Sequence, residues 1–265
     1  MKTLVIIQAR IGSTRLPGKV MLSLAGRPLL ERIIERVRAA RMEFDLAVAT
    51  THDPSDEPIR ELCRALGVDC YSGHPTDLLE RHYRCAFDRA AHNVVKIPSD
   101  CPLIDPDVVD LVLAYYYANY PKYDYVSNLH PPTFPDGNDV EIMKMSVLEE
   151  AWQNARQGYE REHTTPYIWE RPEKFHLGSV GLSNQNYSVT HRWTIDYEED
   201  YRFISTIYSY LWRKDRPIFK MHDILNLMEE NPSLAQINAK FSGISWYRNH
   251  LHELKTITPI VTKTG

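Results

Sequence analysis

The segment "QARIGSTRLPGKV", residues 8–20, carries three basic side chains, Arg10, Arg15 and Lys19, and no acidic one. It follows a short apolar run, residues 4–7, that predicts a β-strand, and an amphipathic helical pattern begins near Arg27. Strand-to-helix loops of this kind bind phosphates, because backbone N–H groups donate to the anion and Arg or Lys add positive charge. The charge excess is local, since the whole chain has a net charge of −4. The segment therefore predicts a site for a small phosphorylated ligand, although a basic surface turn fits the charges equally well.

Two widespread phosphate-binding motifs do not fit this segment. Gly12 and Gly18 are separated by five residues, and Lys19 is followed by Val20, so the spacing and the residue after the lysine both differ from a Walker A loop. The dinucleotide pattern G-x-G-x-x-G is also absent. Any phosphate site here belongs to another class.

Two aspartates that are distant in the chain could form a second part of such a site. Asp100 follows the apolar stretch "VVKIP", and Asp196 ends the apolar-rich stretch "HRWTID". Mg²⁺ typically takes one or two protein carboxylates and completes its shell with water and substrate phosphates. Two aspartates that converge from strand ends would meet that need. The alternative is that each caps a helix or forms a turn, which is what "DPDVV" predicts for Asp105.

The composition is that of an ordinary globular protein, with 43% hydrophobic and 25% charged residues. No apolar stretch approaches the roughly 20 residues of a transmembrane helix, and the first apolar run is too short for a signal peptide. We therefore expect a cytoplasmic protein with no membrane partner. The four cysteines form no C-x-x-C pair, which argues against a zinc site or a disulfide framework. The mild negative net charge argues against nucleic acid as a partner.

The first half of the chain alternates apolar runs with helical patterns. Repeated strand–helix units predict an α/β protein with a mostly parallel, doubly wound, Rossmann-like sheet and helices on both faces. In such sheets, ligands bind at the carboxyl ends of the strands. The predicted strands are about 3–9, 45–50, 67–71 and 93–97, and the predicted helices are about 28–41, 54–66, 75–91 and 106–120.

The pattern becomes less regular after residue 130. A strand over "VEIMKM" precedes a helix that Ser146 caps and that reaches about residue 157. Strand-like pieces follow near 175–181 and 190–195, and then a helix near 198–212. We expect one α/β domain over 1–212, in which 130–195 is an insertion for acceptor binding or dimerisation. A helical C-terminal extension is expected over 213–265.

The order of several motifs resembles the sugar-activating cytidylyltransferases. These motifs are "QARIGSTRLPGKVML", "SDCPLIDPDVV", "FPDGNDVEIM", "REHTTPYI" and "RWTIDYEEDYRFI", and the resemblance covers roughly residues 3–240. The family includes the enzymes that activate 3-deoxy-manno-octulosonate and acylneuraminate sugars, and the branch most like this chain is the SpsF-like one. The resemblance implies a fold of the nucleotide-diphospho-sugar transferase type.

The resemblance implies that the loop over residues 8–20 binds the nucleotide and that Arg15 and Lys19 neutralise its triphosphate. It also implies that Asp100 and Asp196 bind Mg²⁺. Ser99 and Tyr197 depart from residues common in the family. The nucleotide-binding positions implied by the resemblance are Gln8, Ala9, Arg10, Gly12, Ser13, Arg15 and Lys19, and the catalytic ones are Arg15, Lys19, Asp100 and Asp196.

The acceptor side has weaker signals. Asp139 and Glu141 alternate onto one face of the strand near 140, where an exposed edge strand would explain them as well. Arg161 and His163 lie just before Pro166, where a charged first turn of a helix would explain them as well. The resemblance places both segments near the acceptor, so that Arg161 and His163 could bind its carboxylate or phosphate.

Together these features predict a Mg²⁺-dependent enzyme that transfers CMP from CTP to an acidic sugar or another acidic or phosphorylated acceptor and releases pyrophosphate. The resemblance implies a role in surface polysaccharide biosynthesis and a homodimer. A nucleotide-sugar-dependent glycosyltransferase is the alternative. Such enzymes commonly carry a D-x-D metal motif, and the candidate here is Asp105-Pro-Asp107.

Overall fold

The computed structural model describes residues 1–257 and Thr262, and these form one α/β unit around a seven-stranded sheet. The predicted strands and helices of the first half are all present, with ends that shift by a few residues. The strands are β1 (Thr3–Gln8), β2 (Ser23–Leu24), β3 (Arg27–Pro28), β4 (Asp45–Thr51), β5 (Asp69–Gly73), β6 (Asn93–Pro98), β7 (Tyr125–Ser127), β8 (Glu141–Lys144) and β9 (Leu177–Ser179). The helices are α1 (Leu29–Arg38), α2 (Glu57–Leu66), α3 (Leu78–Asp88), α4 (Pro106–Ala118), α5 (Met145–Asn154), α6 (Gly158–His163), α7 (Pro166–Trp169), α8 (Glu198–Leu211) and α9 (Met221–Glu230).

The strand order in the main sheet is β5-β4-β1-β6-β8-β7-β9. Strand β8 runs antiparallel to both of its neighbours, and the other pairings are parallel. The mostly parallel sheet predicted from the alternating pattern is therefore confirmed. Strands β2 and β3 form a separate small hairpin.

A crevice opens where the chain changes direction across the sheet. Strands β4 and β5 extend the sheet on one side of β1, and β6 pairs with its other side. Ile7 and Gln8 of β1 lie in register with Ile97 and Pro98 of β6, so the loops after both strands leave the sheet side by side. The order of the strands reverses at this point, and ligands of such sheets bind in the crevice at the carboxyl ends of the strands there.

Helices cover both faces because alternate strand residues point to opposite sides. Along β1, Val5 and Ile7 join the core beneath α1, α2, α4, α8 and α9, whereas Leu4 and Ile6 join the core beneath α3, α5 and α7. All four side chains are at most 1% exposed. The apolar run at the start of the chain is thus continuous because both of its faces are buried.

Three local predictions differ from the structure. Lys144, not Ser146, is the N-cap of α5, because the chain leaves β8 directly into the helix. Residues 190–195 form no strand, and their β-pairing is limited to an isolated bridge between Asp136 and Arg192. Strand β7 was not predicted, because its three residues are all buried and too few to show a periodic pattern.

The chain beyond α9 is less helical than predicted. It forms three short 3₁₀ turns, at Pro232–Gln236, Ala239–Phe241 and Trp246–Asn249. Residues 238–257, which we call the C-terminal strap, lie against the carboxyl edge of the sheet. Seven residues of the predicted extension, 258–261 and 263–265, lie outside the described part of the chain. Within the described part, no helix combines the length and the apolar character needed to cross a membrane.

Candidate active site

A cavity of about 570 Å³ lies at the carboxyl ends of β1 and β6. It contains almost every site residue predicted from the sequence, and the exceptions are Gly12 and Arg161. The predicted residues that line it are Gln8, Ala9, Arg10, Ser13, Arg15, Lys19, Asp100, Asp139, Glu141, His163 and Asp196.

The loop after β1 is held in shape mainly by its own backbone. The N–H groups of Ser13 and Gly18 both donate to the carbonyl of Ile11, at 2.7 and 3.0 Å. Gly18 has a φ of 69°, in the left-handed region that favours glycine, and it begins the short 3₁₀ helix that contains Lys19. A side chain at Gly12 would meet open space, so this glycine is not needed for a close approach. Asp56, which sequence reasoning missed, fixes the loop by accepting from the Ile11 N–H at 2.7 Å.

The centre of the cavity is a compact charge cluster around Lys19. Its ammonium donates to Asp196 Oδ1 at 3.0 Å and to the Ile195 carbonyl at 2.6 Å, and it lies 3.5 Å from Asp100 Oδ2. Arg15 adds a contact of 2.6 Å to Asp196 Oδ1. Burial lowers the pKa of Lys19, but the charges of Asp100 and Asp196 outweigh burial and leave its pKa above the ordinary value. The two predicted phosphate cations and the two predicted metal ligands therefore neutralise each other in this structure.

Arg192 and Asp200 hold Asp196 in place. The Arg192 guanidinium, of which only 2% is exposed, donates to Asp196 Oδ2 at 3.2 Å and to both oxygens of Asp200 at 2.9 and 3.0 Å. Asp200 also accepts from the Asp196 and Tyr197 N–H groups at 3.0 and 3.1 Å. The sequence predicted Asp200 only as a first-turn helix acid. Its second function depends on the fold, which brings Arg192, Asp196 and Asp200 together at the start of α8.

The Asp100 and Asp196 segments are joined through their backbones. The Asp100 carbonyl accepts from the Ile195 N–H at 2.9 Å and from the Thr194 hydroxyl at 3.1 Å. On the other side, the Trp193 N–H donates to the Asp136 carbonyl at 2.7 Å. Gly137 makes that approach feasible, because a Cβ there would lie 2.7 Å from the Trp193 backbone. Carboxylates from three distant segments thus reach one wall.

The carboxylate pair fits the requirements of a divalent metal. Asp100 and Asp196 approach one ammonium from two different loops, so a cation already lies between them. Among the described residues no group of three or more His, Cys, Asp or Glu forms a complete metal cage. A pair of carboxylates without further protein ligands suits Mg²⁺, which keeps waters and binds substrate phosphates.

The D-x-D candidate of the glycosyltransferase alternative lies outside the cavity. Asp105 caps α4 by accepting from the Asp107 N–H at 2.8 Å, and it also accepts from the Met221 N–H. Asp107 forms an ion pair with Lys220 at 2.9 Å. Both side chains thus have structural partners, and the alternative loses its metal motif.

The part of the cavity opposite the loop after β1 is lined by acids and neutral aromatic rings. Burial and the charge of Asp100 raise the pKa of Asp139 to about 7, and burial together with Asp139 raises the pKa of Asp136. Glu141 forms an ion pair of 2.5 Å with Lys96 and accepts from the Tyr125 hydroxyl at 2.6 Å. Because β8 is a central strand and Glu141 is 1% exposed, the explanation by an exposed edge strand is wrong.

The two residues proposed to bind the acceptor's acidic group do not present charge to the cavity. Arg161 donates to Asp77 Oδ2 at 2.8 Å and to the Trp152 carbonyl at 2.7 Å, outside the cavity. His163 lines the cavity, but burial lowers its pKa to about 3, so its ring is neutral near pH 7. Its ring stacks on Trp246 at 3.7 Å.

Arg81 is a cavity residue that sequence reasoning missed, since a lone arginine in an amphipathic helix gives no signal. Its side chain is 2% exposed and donates to the His74 carbonyl at 3.1 Å, and its Nε has no hydrogen-bond partner among the described residues. Arg10 donates to the Pro75 carbonyl at 3.2 Å. Burial and the charge of Arg10 lower the pKa of Arg81 to about 10. Unlike Arg15 and Lys19, these two cations have only carbonyl partners in the described chain, and they attract an anion.

Comparison with known proteins shows the family of this chain. Residues 4–244 match the family model described as cytidylyltransferase. An uncharacterized protein of Methanocaldococcus jannaschii is 34% identical over 90% of this chain and 95% of its own length. The spore coat polysaccharide biosynthesis protein SpsF of Bacillus subtilis is 27% identical over 88% of this chain and 96% of its own length. The structure of a cytidylyltransferase from Leptospira borgpetersenii superposes with a TM-score of 0.83 at 33% identity, over 89% of this chain and 97% of that one. The chain belongs to the cytidylyltransferase family.

Proposed function

We propose that this cytidylyltransferase transfers CMP from CTP to an acidic sugar or another acidic small molecule, with Mg²⁺ as its metal and pyrophosphate as the second product. The observation that carries the proposal is the cluster in which Lys19 lies within 3.5 Å of both Asp100 and Asp196. Cations for phosphates and carboxylates for a metal are the two charge types that a metal–triphosphate substrate requires.

The cluster suits a site that exchanges ion partners when substrate binds. The side chains of Lys19 and Asp196 are each 12% exposed. Leaving either charge without an opposite partner would therefore cost free energy, because it is largely shielded from water. When a metal–triphosphate enters, Asp100 and Asp196 can bind the metal while Arg15 and Lys19 turn to phosphate oxygens. Each buried charge then keeps an opposite partner before and after binding.

The bound metal would supply positive charge that polarises the α-phosphate. The chain's own groups position the triphosphate and stabilise the charge that develops on the leaving pyrophosphate, with Arg15 as a planar fork and Lys19 as a point charge. An acceptor oxygen forms a bond to the α-phosphorus, and the bond between that phosphorus and the bridging oxygen to the β-phosphate breaks. Such a transfer depends on positioning and charge more than on a covalent intermediate.

The similarity to SpsF suggests the biological context. That relative is a spore coat polysaccharide biosynthesis protein, and this chain matches nearly its full length. We therefore propose that the activated product enters surface polysaccharide biosynthesis. A homodimer stays a prediction, and light scattering coupled to gel filtration would measure it.

Pyrophosphate release measures the proposed reaction. The purified protein is assayed with each of the four nucleoside triphosphates against a panel of acidic sugars and phosphorylated acids, with and without Mg²⁺. We expect release that requires CTP, Mg²⁺ and an acid. Release with another triphosphate, or with a neutral sugar alone, would contradict the proposal.

Substitutions then test the named residues. Asp100→Asn and Lys19→Met should each lower turnover roughly 100-fold or more, since each removes a group that acts on developing charge. Asp107→Asn is the matched control, because Asp107 is an aspartate near the same strand end but outside the cavity. Near-normal turnover of the Asp100 or Lys19 variant would refute the assigned roles.

A further inference from the structure

The C-terminal strap forms one wall of the cavity, although most of it lies beyond the part shared with the family. The family match ends at residue 244. Ser245, Trp246, Tyr247, Arg248, Asn249 and His250 nevertheless all line the cavity. The loop after β1 and the carboxylate cluster fall within the matched residues, whereas this wall lies beyond them.

Specific contacts hold the strap against the site. Asn238 donates to the Arg192 carbonyl at 2.9 Å and to Asp200 Oδ1 at 3.0 Å, and Arg192 donates to the Ile244 carbonyl at 3.1 Å. Farther along, the N–H groups of Lys255 and Thr256 donate to the buried carboxylate of Glu170 at 2.6 and 2.9 Å. The segment between these two anchors is therefore fixed over the cavity.

An aromatic stack links the strap to the phosphate side. Phe241 stacks on Tyr197 with ring centroids 3.9 Å apart, and the Arg15 guanidinium lies 5.6 Å from the centre of the Tyr197 ring. Tyr197 therefore lies between Phe241 of the strap and Arg15 of the loop after β1.

The strap brings two kinds of binding group to the acceptor side. Trp246 is partly exposed and stacks on the neutral ring of His163 at 3.7 Å, which forms a flat apolar surface. Arg248 is exposed, lines the cavity and forms no ion pair with a carboxylate within the described residues. Lys96, which also lines the cavity, is already paired with Glu141, and Arg161 is paired with Asp77 outside the cavity. Within residues 245–250, Arg248 is thus the cation that is able to receive an acid.

We propose that residues 245–250 are the acceptor-recognition element of this enzyme, in which Arg248 binds the acidic group of the acceptor and Trp246 packs against its ring. The inference rests on the proposed function and adds its substrate selectivity. Guanidinium forks bind carboxylate and phosphate through paired hydrogen bonds, and flat aromatic surfaces pack on the apolar faces of sugar rings.

The test separates acceptor binding from nucleotide binding. The probes are 3-deoxy-manno-octulosonate and N-acetylneuraminate, each with its methyl ester as the neutral counterpart, together with one sugar phosphate. Titration calorimetry measures CTP binding first, and then the binding of each probe to the protein saturated with a non-hydrolysable CTP analogue. Pyrophosphate release gives KM and kcat for each probe that reacts.

Arg248→Gln and Trp246→Ala are compared with Arg213→Gln. Arg213 is an exposed arginine that does not line the cavity, and among the described residues its guanidinium donates only to the neighbouring Trp212 carbonyl. We expect Arg248→Gln to raise the KM or Kd of the best acid roughly 10- to 100-fold, the loss of a charge-assisted hydrogen bond. Its kcat and its affinity for CTP should stay within about twofold of wild type, and Arg213→Gln should match wild type throughout.

Each other outcome contradicts the inference. Unchanged acceptor affinity in Arg248→Gln would refute the assigned contact, and equal binding of an acid and its methyl ester would refute recognition of the acidic group. If wild type binds CTP but none of the acids, the inference that the strap recognises an acid is wrong. If wild type does not bind CTP at all, the proposed function fails, which this design distinguishes from a failure of the inference.

Discussion

Asp200→Asn tests whether the carboxylate cluster is supported from behind as the structure indicates. The Asp200 side chain is fully buried and accepts five hydrogen bonds of 2.9–3.1 Å, two from Arg192, two from backbone N–H groups and one from Asn238. Asparagine has nearly the same shape, but it offers one acceptor oxygen and no charge. Arg192 would lose the opposing charge and one of its two hydrogen bonds to this side chain, and it would keep its contacts to Asp136, Asp196 and a carbonyl.

The size of the effect follows from what is left unpaired. Removing one partner of a buried ion pair costs about 3–5 kcal/mol, and we expect about 3 kcal/mol because Arg192 retains other acids. That is a large part of the roughly 5–15 kcal/mol that holds a typical domain folded. Asp196 would also lose the group that orients its backbone, so metal-dependent turnover should fall together with stability.

Urea unfolding followed by circular dichroism measures the free energy of unfolding. Asp223→Asn is the matched control, because Asp223 occupies the same position in the first turn of α9 that Asp200 occupies in α8, but its partner Arg216 is exposed. We expect the control to lose no more than about 1 kcal/mol. If Asp200→Asn loses no more than Asp223→Asn, the cluster does not depend on Asp200 and the reasoning is wrong.

Three further measurements address other parts of the molecule. Arg81 lines the cavity and has no carboxylate partner among the described residues, so we predict that it contacts the β- or γ-phosphate of CTP. Arg81→Gln should then weaken CTP binding about tenfold and leave CMP binding nearly unchanged, as measured by calorimetry with CTP, CDP and CMP. Unchanged affinities for all three nucleotides would contradict this prediction. Burial lowers the pKa of His82 from the ordinary 6.5 to about 3, so its contribution to stability is complete above pH 6.5 and is lost as the pH falls toward 3. His82→Leu should therefore reduce the slope of unfolding free energy against pH by about 1.4 kcal/mol per unit between pH 6 and 4, as measured by urea titrations, and an equal slope would refute the buried neutral ring. Gly137→Ala should lower the free energy of unfolding by about 1–3 kcal/mol, because φ is +109° and the new Cβ would press on the Trp193 backbone. Gly158→Ala, whose Cβ would meet open space, is the control and should be nearly neutral. Thermal unfolding of both variants measures the difference.

Much of the fold could be predicted because its signals are local. The apolar runs of β1 and β6 are buried on both faces, and Asp105 caps α4 through its own neighbours. Elements with weak local signals were missed or misplaced. Strand β7 has three residues, and the N-cap of α5 depends on where β8 ends. Residues 190–195 form no strand, and their one bridge is made with a loop more than fifty residues away.

The candidate site was also predicted only in part. Its cations and carboxylates were proposed from the sequence, although the carboxylates alone would be expected to cap helices and were proposed because of the family resemblance. The groups that support them were not predicted. Arg192 and Asp200 look like ordinary charged residues until Asp196 lies between them, and Arg81 becomes unusual only when it is buried without a carboxylate. Arg161 was predicted to bind the acceptor because nothing local shows that Asp77, eighty-four residues earlier, holds it.

The sequence by itself determined where positive charge gathers and that strands alternate with helices, because charge excess and hydrophobic periodicity are properties of neighbouring residues. Only the tertiary structure decided which charges meet. Lys19 contacts Asp100 and Asp196 across 81 and 177 residues of chain, because β1 and β6 are adjacent and the Asp100 carbonyl binds the segment that carries Asp196. The wall formed by residues 245–250 likewise exists only because Asn238 and Glu170 anchor the strap across the cavity.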